Sequence, residues 1–335
     1  MSLSGRIQKS GNRTFSKSIT ETVLVTGGAG FIGSHLCEIL LSRRKKVICI
    51  DNFITGNPSN ISELLKDPDF TLIEFDLSTM LSEKLLKQIQ KASSVYHLAS
   101  PASPPHYRKF SIETLLVNSF GTYQMLEFCR LNNARILLAS TSEVYGNPKE
   151  HPQKEGYYGH VNPVGLRACY DEGKRFAEAI TMEYFRKYHV DVRIARIFNT
   201  YGPRMRKDDG RVISNLIVAC LSDKPLIVYG SGKQTRSFCY ISDMVEGIVK
   251  LMESDGLAGD VVNLGNNQEH SINDTARLIL TTLSSKAKIV HKNMRLGDDP
   301  DRRKPDISKA KVLLSWSPKI PLTAGIKKTA RYFSP

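Results

Sequence analysis

A glycine-rich turn between a predicted strand and a predicted helix constrains the fold of this chain more than any other feature. The apolar segment Thr22–Thr26 leads into Gly27, Gly30 and Gly33, and a helix is predicted over Phe31–Ser42. In this spacing the first glycine permits a tight turn, the second a close approach of a phosphate group, and the third close packing of helix against strand. The helix N-terminus also offers N–H groups and a positive dipole end to an anion. The pattern therefore predicts a nucleotide-binding strand–turn–helix unit.

Short apolar segments alternate with longer helical patterns through the first two hundred residues. Strands after the first are predicted at Lys46–Ile50, Thr71–Phe75, Val95–Leu98, Ala134–Ala139 and Asp191–Arg196, and later helices at Ile112–Leu131 and Leu166–Tyr188. Almost continuously apolar strands that alternate with helices are typical of a parallel sheet covered on both faces. We therefore predict an α/β fold, a Rossmann doubly wound parallel sheet with a smaller, interleaved C-terminal substrate-binding lobe.

The domain organisation follows from a change of pattern near residue 200. Residues 21–199 are predicted to form the Rossmann domain, and residues 200–335, which are richer in irregular loops, mainly the substrate-binding lobe. The chain is expected to cross back to the Rossmann lobe at about 235–265. Residues 1–20 are polar and basic and lack the apolar stretch of a signal peptide, so a disordered leader is expected there.

Composition narrows the classes of partner. The net charge of +14 would suit nucleic acid or an anionic substrate, but the basic residues are scattered and do not form a stripe interleaved with aromatic residues, so no nucleic acid is expected. No apolar run of about 18 residues is present, so no membrane insertion is expected. None of the six cysteines forms a CxxC pair, which favours buried free thiols, a cytoplasmic location and no metal site.

An acidic residue at the end of the second predicted strand indicates which dinucleotide is bound. Asp51 is placed to accept hydrogen bonds from the adenosine ribose hydroxyls and would repel a 2′-phosphate, which favours NAD over NADP. Asn52, Thr55 and Gly56 continue the same loop, and Asp76, at the end of the third predicted strand, is placed to meet the adenine. The cofactor is also expected to contact Phe31, Ile32, Leu77, Leu98 and Ser100.

Three residues suggest hydride chemistry on a secondary alcohol. Tyr170 and Lys174 are four residues apart in a predicted helix and so share one face. A nearby ammonium group and a positive nicotinamide ring would lower the pKa of the tyrosine, so that its phenolate can take a proton from a sugar hydroxyl. Lys174 is also expected to bind the nicotinamide ribose. Thr141 follows the strand Ala134–Ala139 and is expected to hydrogen-bond the same substrate hydroxyl.

These residues resemble those of the extended short-chain dehydrogenases that act on nucleotide sugars, in TGGAGFIG, YDEGK (170–174) and ARIFNTYGPR (195–204). More specifically, the chain is similar to the UDP-glucuronic acid decarboxylases (UDP-xylose synthases). The matching segments are DNFITG (51–56), HLASPASPPHY (97–107), STSEVYG (140–146), HVNPVG (160–165), ACYDEGK (168–174), DDGRVISN (208–215), YGSGKQTRSF (229–238) and DDPDRRKPDISKAK (298–311). The resemblance runs from about Thr22 to the C-terminus. It departs at FSIETLLVN (110–118), where relatives often carry lysines.

The resemblance implies roles for further residues. The triplet Thr141-Ser142-Glu143 lacks the aspartate that sugar 4,6-dehydratases use as an acid, but keeps a glutamate near C5 of the sugar. Arg303 is implied to meet the uronic acid carboxylate, which a bidentate guanidinium suits. Asn199, Arg211 and Arg236 are implied to hold the UDP group, and Tyr107 and Asn118 to lie near the sugar.

The resemblance implies a reaction and an assembly. UDP-glucuronic acid would be oxidised at C4, lose CO₂ and be reduced again to UDP-xylose, so that NAD is regenerated within the cycle. The helices Ile112–Leu131 and Leu166–Tyr188 would pair in a homodimer. Three alternatives stay open: another nucleotide-sugar reaction (a C4 epimerisation or a 4,6-dehydration), a catalytically idle NAD-sensing binding protein, and a nucleic-acid binder suggested only by the charge.

Overall fold

Seven parallel strands form the central sheet of the computed structural model, which describes residues 21–293, 300 and 302–334. The expected disordered leader at residues 1–20 lies outside the described residues. The strands of the described residues, which include those of smaller sheets, are β1 (Thr22–Thr26), β2 (Lys46–Asp51), β3 (Phe70–Glu74), β4 (Ser94–His97), β5 (Arg135–Thr141), β6 (Val192–Ile197), β7 (Thr200–Tyr201), β8 (Leu226–Tyr229), β9 (Thr235–Ser237), β10 (Cys239–Tyr240), β11 (Asp260–Leu264), β12 (Glu269–Ser271), β13 (Ile289–Lys292) and β14 (Arg302–Arg303). The central sheet consists of β1 to β6 and β11.

Helices cover both faces of this sheet and build the smaller lobe. They are α1 (Phe31–Ser42), α2 (Glu83–Ile89), α3 (Pro104–Lys109), α4 (Ser111–Leu116), α5 (Thr122–Asn132), α6 (Ala168–Tyr188), α7 (Val212–Leu221), α8 (Ile241–Glu253), α9 (Ile272–Thr282), α10 (Ser308–Leu314) and α11 (Leu322–Phe333). Helices α5 and α6 both end in a left-handed residue, Asn133 and His189 respectively, which stops the helix and turns the chain toward the next strand.

The strand order of the sheet is β11-β6-β5-β4-β1-β2-β3, and every pairing between neighbours is parallel. The α/β doubly wound fold predicted from the sequence is therefore confirmed. Alternate residues of β1 face opposite sides: Val23 and Val25 belong to one buried cluster and Leu24 to another. Burial on both faces explains why the strands are apolar almost throughout, and full burial of a side chain such as Leu24 contributes about 1.5–3 kcal/mol.

Most predicted elements agree with the structure to within a few residues. One predicted helix, Ile112–Leu131, is wrong as a single element, because a π-helical turn at Val117–Gly121 separates α4 from α5. The wider turn places Gly121 against the backbone oxygen of Leu77, where a Cβ atom would lie 3.0 Å away. Apolar periodicity does not report such an insertion, since residues on either side of it keep the helical pattern.

The C-terminal part of the chain contributes to both the sheet and a smaller layer. β11 joins the edge of the central sheet beside β6, and α8 packs against α1. The smaller layer contains the sheet β12-β9-β14, in which Arg303 lies in register with Arg236. The helices α7, α9 and α11 pack on one another beside it. The division into a Rossmann domain and a substrate-binding lobe at residues 199 and 200 stays a prediction.

We predict that Gly33→Ala destabilises the protein by about 1–3 kcal/mol, because overpacking moves backbone that is already in contact. A Cβ atom at Gly33 would lie 2.1 Å from the carbonyl oxygen of Gly27 and 2.8 Å from the Cα atom of Gly28. Urea unfolding monitored by circular dichroism measures the change. Gly156→Ala is the matched control, since nothing lies within 4 Å of the added atom there. Equal free energies of unfolding for the two variants would contradict the prediction.

Candidate active site

A cleft of about 460 Å³ lies at the carboxyl ends of the central strands. The cleft meets the sheet between β1 and β4, which are neighbours in the sheet but are not consecutive in sequence. The chain connections that follow these two strands therefore run toward opposite sides of the sheet. Open α/β sheets bind ligands at such a topological switch point. The cleft continues between the loops after β4, β5 and β7 to β9 and β14, so that the smaller layer forms its far wall.

The glycine turn has the geometry that its spacing predicts. Gly27 has a φ of +73°, and a Cβ atom there would lie 2.9 Å from the backbone nitrogen of Ala99. Gly30 is the N-cap of α1, and its backbone leads directly into the first helical N–H groups. A Cβ atom at Gly30 would lie 3.1 Å from the carbonyl oxygen of Gly27, so a side chain at either position would collide with backbone. The backbone therefore fits a dinucleotide whose diphosphate lies over the N-terminus of α1.

Asp51 ends β2 beside this turn. Its Oδ2 atom accepts a hydrogen bond from the Ala29 nitrogen (2.9 Å) and its Oδ1 atom one from the Phe53 nitrogen (2.8 Å). Burial raises the pKa of Asp51, although these backbone donors act against that rise. A Cβ atom at Gly56 would lie 2.7 Å from Oδ1, so the loop wraps closely around the carboxylate. Each oxygen keeps acceptor capacity for a ribose hydroxyl.

The other residues predicted to bind the cofactor also lie on the cleft. Asp76 lies two residues beyond the end of β3, where its Oδ1 atom accepts from the Ser78 nitrogen (2.8 Å) and hydroxyl (2.7 Å). The lining includes Gly27, Gly30, Phe31, Ile32, Gly33, Asp51, Asn52, Thr55, Gly56, Asp76, Leu77, Leu98, Ser100 and Lys174. Their contacts with NAD stay predictions.

Tyr170 and Lys174 lie one turn apart near the start of α6 and are both buried. The Lys174 Nζ atom donates to the carbonyl oxygen of Ala139 in β5 (2.8 Å), which ties the helix to the end of that strand. The ring of Tyr170 stacks on that of Tyr107, with centroids 5.2 Å apart and planes within 4°. The Thr141 hydroxyl hydrogen-bonds Tyr170. The structure therefore brings the three predicted hydride-site residues together.

The expected effect of Lys174 on the acidity of Tyr170 is wrong for the protein's own residues. Burial raises the pKa of Tyr170 to about 12, although the hydrogen bond from Thr141 and the charge of Arg211 act against that rise. Burial also lowers the pKa of Lys174 to about 7, so this lysine carries only part of a positive charge near neutrality. Desolvation is the largest influence on the pKa of both groups.

Glu143 is the centre of a buried ion cluster. Its Oε2 atom accepts from Arg303 Nη2 (2.9 Å), its Oε1 atom accepts from Arg303 Nη1, and Arg167 Nη2 donates to Oε2. Burial raises the pKa of Glu143, but the two arginines outweigh this effect and hold it at about 2. Glu143 is therefore ionised at neutral pH. Arg303, implied by resemblance to meet a substrate carboxylate, is already paired with a carboxylate of the protein.

Two members of this cluster, Arg167 and Asp171, were missed in the sequence. Asp171 Oδ2 lies 3.6 Å from Arg167 Nε, and its Oδ1 atom is buried without a hydrogen-bond partner among the described residues. Burial, followed by the negative charge of Glu143, raises the pKa of Asp171 to about 7. Arg167 lies three residues before Tyr170 and Asp171 one residue after it, in the segment RACYD. This closeness to the tyrosine is the signal in the sequence that could have identified them.

The predicted substrate residues divide into two groups. Asn199 lines the cleft, and its Nδ2 atom is buried with no partner in the described part of the chain. Arg211, Arg236 and Tyr107 also line the cleft, and Arg211 Nη2 donates to the Ala102 oxygen (3.1 Å). Asn118 does not line the cleft: it lies in the π-helical turn, where its amide donates to Ser100 Oγ (3.0 Å) and to the Thr114 oxygen (2.8 Å).

Three further expectations concern metals, membranes and thiols. Within residues 21–293, 300 and 302–334, no group of three His, Cys, Asp or Glu side chains could hold a metal ion, and no helix has the length and apolar character to cross a membrane. All six cysteines lie in these ranges as free thiols, five of them buried and Cys169 partly buried.

We predict that Glu143→Gln destabilises the protein by about 3 kcal/mol at pH 7, because the buried Arg303 and the partly buried Arg167 lose their counter-charge. The pKa of Glu143 lies below its ordinary value of 4.5, at about 2. Its stabilisation is therefore complete above pH 4.5 and is lost as the pH falls through about 2. The difference between wild type and variant should shrink over that range. Urea unfolding at several pH values measures it.

Glu63→Gln is the control, because Glu63 forms an ion pair with Lys66 at the surface. Exposed pairs contribute about 0–1 kcal/mol, so this variant should unfold with nearly the wild-type free energy. A Glu143→Gln variant as stable as Glu63→Gln at pH 7 would show that the cluster contributes nothing to stability.

Comparison with known proteins agrees with this geometry. Residues 24–329 match the family model described as GDP-mannose 4,6 dehydratase. UDP-glucuronic acid decarboxylase 1 of Xenopus tropicalis is 51% identical over 311 residues, which cover 93% of this chain and 72% of that protein. UDP-glucuronic acid decarboxylase 6 of Arabidopsis thaliana is 48% identical over 305 residues, which cover 91% of this chain and 86% of that protein.

Solved structures share the fold over almost the whole chain. The UDP-glucuronic acid 4-epimerase of Bacillus cereus, in complex with UDP-glucuronic acid and NAD, superposes with a TM-score of 0.83 at 33% identity and covers 93% of this chain and 98% of its own. The UDP-glucose 4-epimerase of Thermotoga maritima gives 0.84 at 27% identity with the same coverage. On these grounds the chain belongs to the extended short-chain dehydrogenase family of nucleotide-sugar enzymes and, within it, to the UDP-glucuronic acid decarboxylases.

Proposed function

We propose that this enzyme converts UDP-glucuronic acid to UDP-xylose and CO₂, with NAD as a cofactor that is regenerated in each cycle. The observation that carries the proposal is the ionised Glu143, held by Arg303 and Arg167 in the same cleft as Tyr170 and Thr141. A hydride site and a charged cluster for a uronic acid therefore lie within one cavity, and both are needed for an oxidation followed by decarboxylation.

The first step is oxidation of the sugar at C4. Tyr170 takes the proton of the C4 hydroxyl, with the Thr141 hydroxyl bound to the same oxygen. Bound NAD⁺ would supply the acceptor for the C4 hydride and would return the hydride in the last step. Lys174, fixed by its hydrogen bond to the Ala139 oxygen, binds the ribose of the cofactor and sets the distance from α6 to the end of β5. Burial of Tyr170 and Lys174 excludes water from the reacting groups.

The second step is loss of CO₂ from C5. The C4 carbonyl of the oxidised sugar accepts the electron pair of the broken C–C bond, and Thr141 and Tyr170 stabilise the resulting enolate oxygen. C5 is then protonated before the C4 carbonyl is reduced. Glu143, with a pKa of about 2, is not itself the donor. It orients a water molecule together with the buried Ser142. That water gives a proton to C5 and regains one from solvent, so that one proton is consumed for each CO₂ released.

The UDP group is held at the far wall of the cleft. Asn199 offers a buried amide with an unpaired donor atom among the described residues, and Arg211 and Arg236 line the same wall. Two arginines suit a diphosphate. Binding energy from this remote group fixes the sugar against the hydride site and can be used to lower the barrier of the chemical steps.

A C4 epimerisation is the second candidate, because the solved structures that resemble the chain include C4 epimerases. The relatives argue against it, since the decarboxylases are 51% and 48% identical to the chain, whereas these epimerases are 27% and 33% identical. A 4,6-dehydration is disfavoured because Ser142 stands where the acid would be needed. A protein that only binds NAD would not require Tyr170 and Lys174 on the same face of α6.

The experiment is incubation of the purified protein with UDP-glucuronic acid and NAD⁺, followed by mass spectrometry of the nucleotide sugar and absorbance of NADH. Loss of the mass of CO₂ without net NADH is the expected result. Loss of CO₂ with accumulating NADH would mean that the second hydride transfer fails. An unchanged mass with a new chromatographic isomer would replace decarboxylation by epimerisation.

We predict that Tyr170→Phe lowers the decarboxylation rate by about 10²–10⁴-fold, because the phenol oxygen is the proton acceptor for the C4 hydroxyl. The fold should be kept, since the ring can still stack on Tyr107. Turnover by mass spectrometry and near-ultraviolet circular dichroism give the two readouts. Tyr158→Phe, at an exposed tyrosine, is the matched control and should retain the wild-type rate. Substantial activity of the Tyr170 variant would remove its assigned role.

We further propose that the enzyme is a cytoplasmic homodimer. Large apolar side chains are exposed on the adjacent helices α4, α5 and α6, namely Ile112, Leu115, Leu116, Tyr123 and Phe176. A contiguous apolar face on paired helices suits a second copy of the same face. Free thiols are typical of a reducing compartment, which supports the cytoplasm.

We predict that Phe176→Glu converts the dimer to a monomer, because a carboxylate at the apolar contact would be buried without a partner. Size-exclusion chromatography with light scattering measures the mass. Val312→Glu on α10 is the control, since Val312 is exposed on a different helix. A wild-type protein that elutes as a monomer at micromolar concentration would contradict the proposal.

A further inference from the structure

Arg204 has a guanidinium group that the mechanism above does not use. Its Nη2 atom lies 2.7 Å from Oε2 of Glu38 on α1, whereas its Nη1 atom is buried without a hydrogen-bond partner in the described part of the chain. A buried donor left unpaired costs about 1–3 kcal/mol. Such a group in a native protein calls for an explanation, and an anionic ligand is one that an arginine suits.

The backbone around Arg204 is held in an uncommon conformation. Arg204 has a φ of +65°, which costs energy for a residue with a side chain. The preceding carbonyl, of Pro203, is bound at 3.0 Å by the Nε2 atom of His35. His35 and Glu38 both belong to α1, so two contacts fix this segment against one helix. The strained backbone is therefore part of a fixed arrangement.

Arg204 lines the cleft and is anchored to α1, the helix that begins at the glycine turn. It lines the same cavity as Gly30, Phe31 and Ile32, where α1 begins. The helix N-terminus supplies N–H groups and a partial positive charge there. A diphosphate carries more negative charge than a helix N-terminus alone balances. A guanidinium group, anchored to α1 through its other edge, supplies the missing counter-charge.

We propose that Arg204 binds a diphosphate through Nη1, while Glu38 holds the other side of the guanidinium and keeps it aimed into the cleft. The inference rests on the proposed use of NAD and a nucleotide sugar, each of which contains a diphosphate. The anchoring of Arg204 to α1, the helix that follows the glycine turn, favours the diphosphate of NAD. The diphosphate of the UDP sugar is the other source, and ligands that carry only one of the two groups distinguish them.

The test measures binding and does not require turnover. The affinities of the purified enzyme, with its bound nucleotide quantified, are measured by calorimetry for ADP-ribose, adenosine, UDP and uridine. Arg204→Met should weaken ADP-ribose about 10- to 100-fold and leave adenosine unchanged, because only the first ligand contains the diphosphate. Weakening of UDP in place of ADP-ribose would assign Arg204 to the nucleotide sugar. Wild-type affinity for both diphosphates would overturn the proposal.

Two further variants separate a direct contact from general effects. Arg43→Met removes the same charge at the C-terminal end of α1, where Arg43 pairs with Glu253, and should leave both affinities unchanged. An equal loss in this variant would reduce the effect to net charge and overturn the proposal. Arg204→Lys keeps the charge but has a single donor group, so it should bind ADP-ribose with intermediate affinity. It replaces Arg204→Met in the test if that variant does not fold.

The design distinguishes this inference from the proposed function. A protein that fails to decarboxylate UDP-glucuronic acid but loses ADP-ribose affinity on Arg204→Met would refute the reaction and keep the diphosphate site. A decarboxylase whose affinity for ADP-ribose and UDP is unaffected by Arg204→Met would keep the reaction and refute the site.

Discussion

The parallel arrangement of the seven central strands is the constraint on which the rest of the molecule depends. Parallel strands place all their carboxyl ends at one edge of the sheet. The chain connections that follow β1 and β4 run in opposite directions across the sheet, which opens a crevice between these two strands. The glycine turn follows β1, Asp51 and Thr141 are the last residues of β2 and β5, and the start of α6 is tied to β5 by Lys174. The geometry of the sheet therefore brings together segments that are distant in sequence, and the site forms where they meet.

The smaller layer completes this edge by bringing charge to it. Arg303 lies on β14, in register with Arg236 on β9, and its guanidinium reaches Glu143 at the end of β5. The pairing joins the smaller layer to the end of the central sheet through an ion pair, and Arg167 and Asp171 extend it along α6. Four charged groups of alternating sign can lie together with little exposure to solvent because each compensates its neighbour. Asp171 is the member with the least compensation, and its pKa of about 7 reflects that.

The sequence predicted the backbone better than the electrostatics. Strand–helix alternation and glycine spacing depend on local periodicity and turn sterics, so β1, α1 and the turn at Gly27 agree with the structure. The π-helical turn at Val117–Gly121 depends on a packing contact with Leu77 that periodicity does not record. The acidity of Tyr170 was expected to be increased by Lys174, but burial dominates both groups. Desolvation depends on the whole surrounding structure, and a motif of five residues carries no measure of it.

The pairing of Glu143 with Arg303 also bears on how a decarboxylase differs from an epimerase on the same scaffold. A substrate carboxylate that approaches Arg303 meets a guanidinium whose Nη atoms are already bound by Glu143. The charge of the substrate carboxylate is therefore only partly neutralised by Arg303. The nearby negative charge of Glu143 raises the energy of that carboxylate. That charge disappears from the carboxylate as CO₂ forms and moves to the C4 oxygen, which Thr141 and Tyr170 bind. An interaction that is unfavourable in the bound substrate and relieved in the transition state lowers the barrier. In the proposed reaction, the same glutamate that stabilises the folded protein thus promotes the loss of CO₂.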